Sequence, residues 1–287
     1  MSGGLPTVVT TVAALREALV GHSAGLVPTM GALHDGHAAL IARSAAENPT
    51  TVVSIFVNPT QFADPGDYRR YPRSLERDAT FAGGHGATLL FAPTTEEMYP
   101  PGFATGVEVG GLADRWEGAA RPGHFRGVAT VVARLLGLVR PARAYFGEKD
   151  FQQLQIVRRL HADLALPGAN VGCPTVREPD GLARSSRNAR LSPEARRSAV
   201  ALPRALQAMA AKAETESDVT ALVAAGETLL RETPGLDLDY LAVVDPATLE
   251  PLSRLVPGAR AIVAAAVGGV RLIDNLELVP EASGWAS

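Results

Sequence analysis

The chain has 287 residues, of which 46% are hydrophobic and 20% are charged, and its 27 basic and 30 acidic residues give a formal net charge of −3. This composition is typical of a soluble globular protein, and the near-neutral charge argues against nonspecific binding to nucleic acid or to an anionic membrane. The length is sufficient for one large core or for two domains.

The sequence predicts no membrane segment. Residues 1–6 lack the basic and apolar regions of a signal peptide, and the apolar runs at 128–139 and 259–270 are too short or too interrupted to span a bilayer. We therefore expect a cytoplasmic protein with no membrane partner. The single cysteine, Cys173, lies in a strand-like run and is expected to be a buried core thiol.

The first predicted elements surround residues 26–37. A strand at 25–27 runs into a turn that contains Pro28 and Gly31, and a helix at 33–47 then begins with His34 and His37. Residues three apart share a helix face, and the first turn of a helix favours a bound phosphate. The pattern by itself also fits two solvated or capping histidines, or two metal ligands.

Strand-like and helix-like segments alternate as far as residue 176. The further strands are predicted at 51–57, 88–91, 144–146 and 169–176, and the further helices at 74–83, 127–139 and 150–164. Near-continuous apolar strands are typical of parallel sheets that are covered on both faces. We predict an α/β fold with a Rossmann-like, doubly wound parallel sheet, in which ligands bind beyond the carboxyl ends of the strands.

The pattern changes after residue 176. A polar stretch at 177–193 precedes an alanine-rich helix at 194–212, a second helix at 218–232, and strand-like runs at 239–244, 260–266 and 270–273. We predict two domains: a Rossmann-like ligand-binding domain at 1–176 and a smaller α+β domain at 177–287, which would close over the site.

Polar residues follow the second predicted strand, at 51–57. Asn58 and Gln61 offer amide donors and acceptors suited to a hydroxy-carboxylate, although an Asx turn before Pro59 is an alternative. Tyr71 would be an ordinary surface residue in most proteins, and Asp78 alone is too weak a signal for a metal ligand. Residues 117–127 are rich in glycine and basic residues, so we expect a loop without regular structure, which either closes over a site or is a solvated turn.

Two further clusters could bind phosphate. Lys149 follows Gly147 at a strand-to-helix junction and can reach phosphate oxygens, while Asp150 could cap the helix or hold a ribose or Mg²⁺. Gln153 would face the same ligand. Residues 185–187, with two hydroxyls and a guanidinium, form a plausible phosphate site, or else a polar interdomain linker.

Together these segments resemble the nucleotidyltransferase superfamily that includes the class I aminoacyl-tRNA synthetases, and within it the pantothenate synthetase family. The matching segments are 28–37 (PTMGALHDGH), 54–62 (SIFVNPTQF), 71–73 (YPR), 121–128 (RPGHFRGV), 146–150 (FGEKD) and 174–188 (PTVREPDGLARSSRN). The resemblance implies an ATP-dependent ligase that uses Mg²⁺ and forms a homodimer. In this reaction pantoate attacks the α-phosphorus of ATP, and β-alanine then attacks the pantoyl adenylate to give pantothenate and AMP.

The resemblance also implies roles for individual residues. His34, His37, Lys149, Ser185 and Arg187 would be catalytic, with His37 as a proton donor. The residues implied to bind ATP are Met30, Gly31, His34, His37, Gly147, Lys149, Asp150, Val176, Ser185, Ser186 and Arg187. Gln61, Gln153, Asn58 and Tyr71 would bind pantoate or β-alanine. Asp78 would lie near a magnesium ion that is held mainly by the ATP phosphates.

The sequence departs from the family pattern at one position, and two other functions are possible alternatives. Arg184 stands where the family usually has an apolar residue, which leaves its role open. Another adenylyl- or cytidylyltransferase of the superfamily is the first alternative, and the segments 58–62 and 146–150 argue against it. A non-catalytic nucleotide-binding protein is the second, although both histidines, Lys149 and residues 185–187 are all retained.

Overall fold

The computed structural model describes residues 4–278. Contacts divide the chain into two compact units. The first comprises the residues up to Glu148 together with Gln152–Pro174, and the second comprises Lys149–Phe151 together with the residues from Thr175 onward. Lys149–Phe151, which the sequence analysis placed in the first domain, therefore pack with the second unit. No helix within residues 4–278 is long and apolar enough to cross a membrane.

The first unit contains a six-stranded parallel sheet in the order β1-β4-β3-β2-β5-β6. Its strands are β1 (Thr7–Val9), β2 (Ala24–Thr29), β3 (Thr50–Ile55), β4 (Leu89–Phe91), β5 (Arg143–Gly147) and β6 (Ala169–Cys173). This sheet confirms the predicted α/β fold. The sequence prediction missed β1 because it has only three residues and its first two are exposed.

Eight helices of the described chain precede or connect these strands. They are α1 (Val12–Ala18), α2 (Asp35–Glu47), α3 (Pro65–Arg70), α4 (Leu75–Gly84), α5 (Thr95–Met98), α6 (Glu117–Ala120), α7 (His124–Val139) and α8 (Phe151–Asp163). The four long predicted helices are confirmed, with shifts of up to three residues at their ends. The short helices α3, α5 and α6 have too few residues to show a hydrophobic period.

The order of the strands locates a point where the chain reverses direction across the sheet. After β2 the chain adds β3 and β4 on one side, and β5 and β6 then extend the sheet on the other side. Ligands of open parallel sheets bind beyond the carboxyl ends of the strands at such a point. Residues 30–37 follow β2, and Gly147 ends β5.

The sheet is covered on both faces, as its continuous apolar strands predict. The side chains of Leu26, Val27, Val53 and Leu90 are fully buried. Cys173 at the end of β6 is 2% exposed, and burial raises the pKa of its thiol. The expectation of a buried core thiol is therefore confirmed.

The second unit has its own core and an antiparallel sheet. Its helices are α9 (Pro193–Ala199), α10 (Ala201–Ala213) and α11 (Val219–Arg231), and its strands, in the order β7-β8-β9, are β7 (Leu236–Val244), β8 (Arg260–Val267) and β9 (Val270–Glu277). The buried residues of α10, α11 and the sheet form one hydrophobic cluster. This architecture confirms the predicted smaller α+β fold.

The predicted single helix at 194–212 is wrong in one respect. The structure divides it into α9 and α10 at Val200. Pro203 lies in the first turn of α10, where it has no N–H to donate to the carbonyl of Ala199. A proline is tolerated in a first turn but not in a helix interior, so the chain starts a second helix here.

Candidate active site

The loop between β2 and α2 is held by a buried carboxylate. Asp78, in the first turn of α4, is 2% exposed, and its two oxygens accept hydrogen bonds from the backbone N–H groups of Ala32 and Leu33, both at 2.9 Å. Gly31 has φ +80°, and a Cβ atom there would lie 2.8 Å from the Asp78 carboxylate. Position 31 therefore requires glycine both for its backbone conformation and for this close approach.

This geometry does not support the tentative assignment of Asp78 as a magnesium ligand. Both of its oxygens are buried and are used by backbone N–H groups. Within residues 4–278, no group of three or more His, Cys, Asp or Glu side chains could hold a metal ion. The described residues thus do not build a magnesium site of their own, and Asp78 instead fixes the loop that carries the histidines.

His34 and His37 lie side by side at the start of α2, with ring centroids 4.1 Å apart. The Nδ1 atom of His34 accepts a hydrogen bond from the backbone N–H of Gly36 at 3.1 Å, so His34 is the N-cap of the helix. The Nδ1 atom of His37 accepts one from the backbone N–H of His34 at 3.3 Å. The two rings thus replace the serine and glutamate of an ordinary capping box.

These bonds fix the tautomer of both rings. A backbone N–H can only donate, so both Nδ1 atoms are acceptors and carry no proton, and a neutral ring must then carry its proton on Nε2. His34 and His37 are half-buried. Each ring can therefore donate from Nε2 to an anionic oxygen while its Nδ1 caps the helix.

A second group of predicted residues meets at the turn that follows β3. Asn58 is the N-cap of a short 3₁₀ helix at Pro59–Gln61, and its Nδ2 donates to Gln61 Oε1 at 3.1 Å. The Nε2 of Gln61 in turn lies 3.1 Å from the Sδ of Met30. Because Asn58 donates to Oε1, the amide of Gln61 is oriented with its donor side toward Met30.

Asn58 is itself held on several sides. Its Nδ2 also donates to the carbonyl of Gly127 at 3.1 Å, and its Oδ1 accepts from the Tyr99 hydroxyl at 2.9 Å and from Thr60. The Asx-turn alternative is thus correct for Asn58, and it coexists with a contact to Gln61. Asn58 fixes the orientation of Gln61, a role that the sequence analysis did not assign.

The prediction that residues 117–127 lack regular structure is wrong. They include α6 and the start of α7, and both Glu117 and His124 are buried. His124 Nδ1 lies 2.9 Å from the carbonyl oxygen of Gln61 and therefore donates to it, and Arg121 Nη1 lies 3.1 Å from His124 Nε2. Arg121 and His124 thus support the backbone of Gln61, and the only available signal was their place in the segment 121–128.

The other predicted residues of the first unit lie on separate elements. The Tyr71 hydroxyl donates to the carbonyl of Gly31 at 3.5 Å, which places this ring beside the loop after β2. Gly147 ends β5, and Gln153 is half-buried in the first turn of α8. The neighbouring Gln152 was missed: its amide donates to the carbonyls of Leu112 and Arg115 at 2.8 and 2.9 Å.

The remaining predicted residues belong to the second unit. Lys149, Ser185 and Arg187 line one cavity there. Lys149 Nζ lies 3.4 Å from Asp150 Oδ1, and the lysine side chain is 17% exposed. The Ser185 hydroxyl accepts from the backbone N–H of Arg187 at 3.2 Å and caps the short helix Ser186–Arg190. A lysine, a guanidinium and a hydroxyl around one cavity are suited to phosphate.

A hairpin turn leads into residues 185–187. Arg177 pairs with Ala183 as an isolated bridge, and the backbone N–H of Arg184 donates to the carbonyl of Val176 at 2.9 Å. Arg184 lies 3.6 Å from Glu178. The departure from the family pattern at Arg184 is thus accounted for by an ion pair with Glu178.

A family model described as pantoate–β-alanine ligase matches residues 7–277 of the chain. The chain belongs to the pantoate–β-alanine ligase family. It is 59% identical over 273 residues to the pantothenate synthetase of Thermus thermophilus, and the match covers 95% of this chain and 99% of that protein.

Solved structures of the pantoate–β-alanine ligase family have the same fold. A crystal structure of the Thermus thermophilus pantothenate synthetase matches with a TM-score of 0.92 at 58% identity, over 95% of this chain and 99% of that chain. The Francisella tularensis pantoate–β-alanine ligase, complexed with βγ-ATP and β-alanine, matches with a TM-score of 0.78 at 32% identity, over 97% and 99% of the two chains. Family and fold therefore agree with the resemblance found in the sequence.

Proposed function

We propose that the protein joins pantoate to β-alanine at the expense of ATP and releases pantothenate, AMP and pyrophosphate by way of pantoyl adenylate. Membership of the family supports this activity. The observation that carries it is the imidazole pair after β2, whose Nε2 protons are fixed in place by the caps on Nδ1.

In the first step, a pantoate carboxylate oxygen attacks the α-phosphorus of ATP and pyrophosphate leaves. The transition state spreads negative charge over phosphate oxygens, so positioned donors and cations can lower the barrier without a protein nucleophile. We propose that His34 and His37 donate from Nε2 to these oxygens. Lys149, Ser185, Ser186 and Arg187 would contribute a cation, hydroxyls and a guanidinium.

Pantoate requires groups that orient its carboxylate and hydroxyls. We propose that Gln61 and Gln153 bind it, with Tyr71 beside it and Asn58 orienting the amide of Gln61. In the second step, the neutral amine of β-alanine attacks the acyl carbon of the adenylate, the bond from that carbon to the AMP oxygen breaks, AMP leaves, and the nitrogen releases one proton. Met30, Gly31, Gly147, Asp150 and Val176 are proposed nucleotide contacts.

Three further features remain proposals. ATP would enter with Mg²⁺ held mainly by its own phosphates, as is common for this ion. The family resemblance supports a homodimer, which light scattering on the purified chain would test. The cytoplasmic location expected from the sequence is likewise a proposal.

The activity is tested by incubating the protein with ATP, Mg²⁺, pantoate and β-alanine and measuring AMP. We expect AMP only when pantoate is present. We also expect Lys149→Ala to slow pantoate-dependent pyrophosphate release about 100-fold or more, the scale of losing one transition-state donor. AMP formation that is indifferent to pantoate would contradict the proposal.

The chain offers a matched control for that variant. Lys212, in the last turn of α10, is an exposed lysine of the same unit. Lys212→Ala should leave pyrophosphate release unchanged. An equal loss in both variants would remove the case for a specific role of Lys149.

A further inference from the structure

We infer that Asn275 on β9 is a positioning residue for Lys149, and that the dipeptide Asp274-Asn275 holds two groups of the phosphate-binding side chains in place. This inference rests on the proposed function of Lys149. All the residues involved belong to the second unit. Nothing in the sequence pattern of β9 pointed to such a role.

The first contact joins Asn275 to the backbone of Lys149. Asn275 is 4% exposed, and its Nδ2 donates to the carbonyl oxygen of Lys149 at 2.9 Å. Its Oδ1 accepts from Arg260 Nη1 at 2.8 Å, which leaves the Nδ2 side facing Lys149. The same arginine lies 4.2 Å above the ring of Phe151. Residues 149–151 are therefore held at both ends by β8 and β9.

The second contact joins Asp274 to the segment that leads to residues 185–187. The buried carboxylate of Asp274 accepts two hydrogen bonds from Arg177, at 2.7 and 3.0 Å. Arg177 also donates to the carbonyl of Gly181 at 3.0 Å, across the hairpin turn that precedes Ser185. Adjacent residues of one strand thus contact the backbone of Lys149 directly and the hairpin turn through Arg177, and Asp274 lines the same cavity as Lys149, Ser185 and Arg187.

A backbone contact matters here because a lysine side chain is long and flexible. Its ammonium can stabilise a phosphate only from a defined position, and a displacement of about 1 Å can cost about 100-fold in rate. The Asn275 amide fixes the point from which the side chain extends. Loss of this bond should therefore slow the attack on the α-phosphorus of ATP, in addition to any effect on stability.

Two variants test the inference. Asn275→Asp keeps the acceptor for Arg260 and removes the donor to Lys149, while Asn275→Ala removes both bonds without burying a charge. We expect each to slow pantoate-dependent pyrophosphate release about 10- to 100-fold. Preformed pantoyl adenylate should still react with β-alanine at the normal rate, because the triphosphate takes no part in that step. Measuring both variants ensures that a folding failure of one does not decide the outcome.

Glu277→Gln is the matched control. Glu277 lies on the same strand, and its carboxylate is 3.5 Å from Arg260 Nη2. We expect pyrophosphate release to be unchanged in this variant. If it slows as much as Asn275→Asp does, the inference fails, because any disturbance near Arg260 would then have the same effect.

A double variant separates positioning from general stability. If Asn275 acts through Lys149, adding Asn275→Asp to Lys149→Ala should cause no further loss, since coupled residues are not additive. Additive losses, or equal losses in both half-reactions, would overturn the inference. A harmless Lys149→Ala would overturn both the inference and the proposed role of Lys149, whereas a harmful Lys149→Ala with a harmless Asn275→Asp would overturn the inference alone.

Discussion

At the scale of single residues, His34 combines two functions in one ring. Its Nδ1 caps α2 and its Nε2 is the proposed phosphate donor. Asparagine is among the best N-cap residues, so His34→Asn should preserve the cap and remove only the distal donor. We expect His34→Asn to melt within a few degrees of the native protein but to lose pyrophosphate release about 100-fold.

His34→Ala is the comparison variant, because it removes both functions. It should lose the same activity and in addition about 1 kcal/mol of stability, the usual cost of a lost cap. Nitrogen NMR of labelled histidine provides an independent check on the tautomers. His34 and His37 should carry the proton on Nε2, and His124, which donates from Nδ1, should show the opposite form. A proton on Nδ1 of His34 would contradict the proposed cap.

At the scale of elements, the packing of α7 on the turn after β3 depends on Gly127. A Cβ atom there would lie 2.5 Å from the carbonyl oxygen of Thr60 and 2.7 Å from the backbone nitrogen of Gln61. Gly127→Ala should therefore push this turn away, destabilise the protein by about 1–3 kcal/mol, and raise the KM for pantoate. Thermal melting and steady-state kinetics would measure the two effects.

The same helix supplies the control. Gly137 is exposed, and a Cβ atom there would meet nothing within 4 Å. Gly137→Ala should stabilise the protein by about 0.5–1 kcal/mol, because alanine favours the helix, and should leave the KM for pantoate unchanged. If Gly127→Ala behaved in the same way, the close packing between α7 and the turn would be wrong.

The hairpin turn before residues 185–187 depends on a charged carboxylate. Hydrogen bonds from Arg196, at 2.6 Å, and from Asn188, at 2.7 Å, hold the pKa of Glu178 below its usual value. A lowered pKa contributes stability that is complete above the unfolded-state pKa and is lost as the pH falls through the folded-state pKa. Wild type should therefore melt higher than Glu178→Gln at neutral pH, and the difference should shrink below about pH 4.5.

Melting temperatures measured from neutral to acidic pH would test this expectation. Glu194→Gln serves as the control, because Glu194 is exposed and lies 3.9 Å from Arg197 in a pair that solvent screens. Its melting curve should follow the wild type at every pH. A constant difference between wild type and Glu178→Gln across the pH range would show that the carboxylate charge is not responsible.

At the scale of the whole molecule, hydrophobic patterns in the sequence predicted most of the strands and long helices, because neighbouring residues largely determine these elements. Continuous apolar runs predicted the buried strands, and the alanine-rich run from residue 194 predicted the start of α9 to within one residue. Contacts between distant segments leave no spacing in the sequence. Asp78 bonds to backbone N–H groups 45 and 46 positions away, and nothing in the sequence indicated this role in holding the loop after β2. Asn58 is held by Gly127 and Tyr99, which are 69 and 41 positions away, and this support was likewise not predicted.

The residue types of the site were found through motifs and resemblance, whereas their supporting contacts were not. The sequence placed His34 and His37 on one helix face, but only the backbone bonds to Nδ1 reveal which nitrogen carries the proton. Likewise, no residue beyond 195 was predicted to act in the site. Asp274 contacts Arg177 and Asn275 contacts Lys149, and only the folded chain brings these pairs together.

The bond between Asn275 and Lys149 joins positions that are 126 residues apart. During synthesis from the N-terminus, all six strands of the parallel sheet emerge from the ribosome long before β9 does. The carbonyl of Lys149 can therefore form this hydrogen bond only after β9, the last strand of the described chain, has been synthesised. A nascent or prematurely terminated chain could thus complete its parallel sheet and still lack the contact between Asn275 and Lys149.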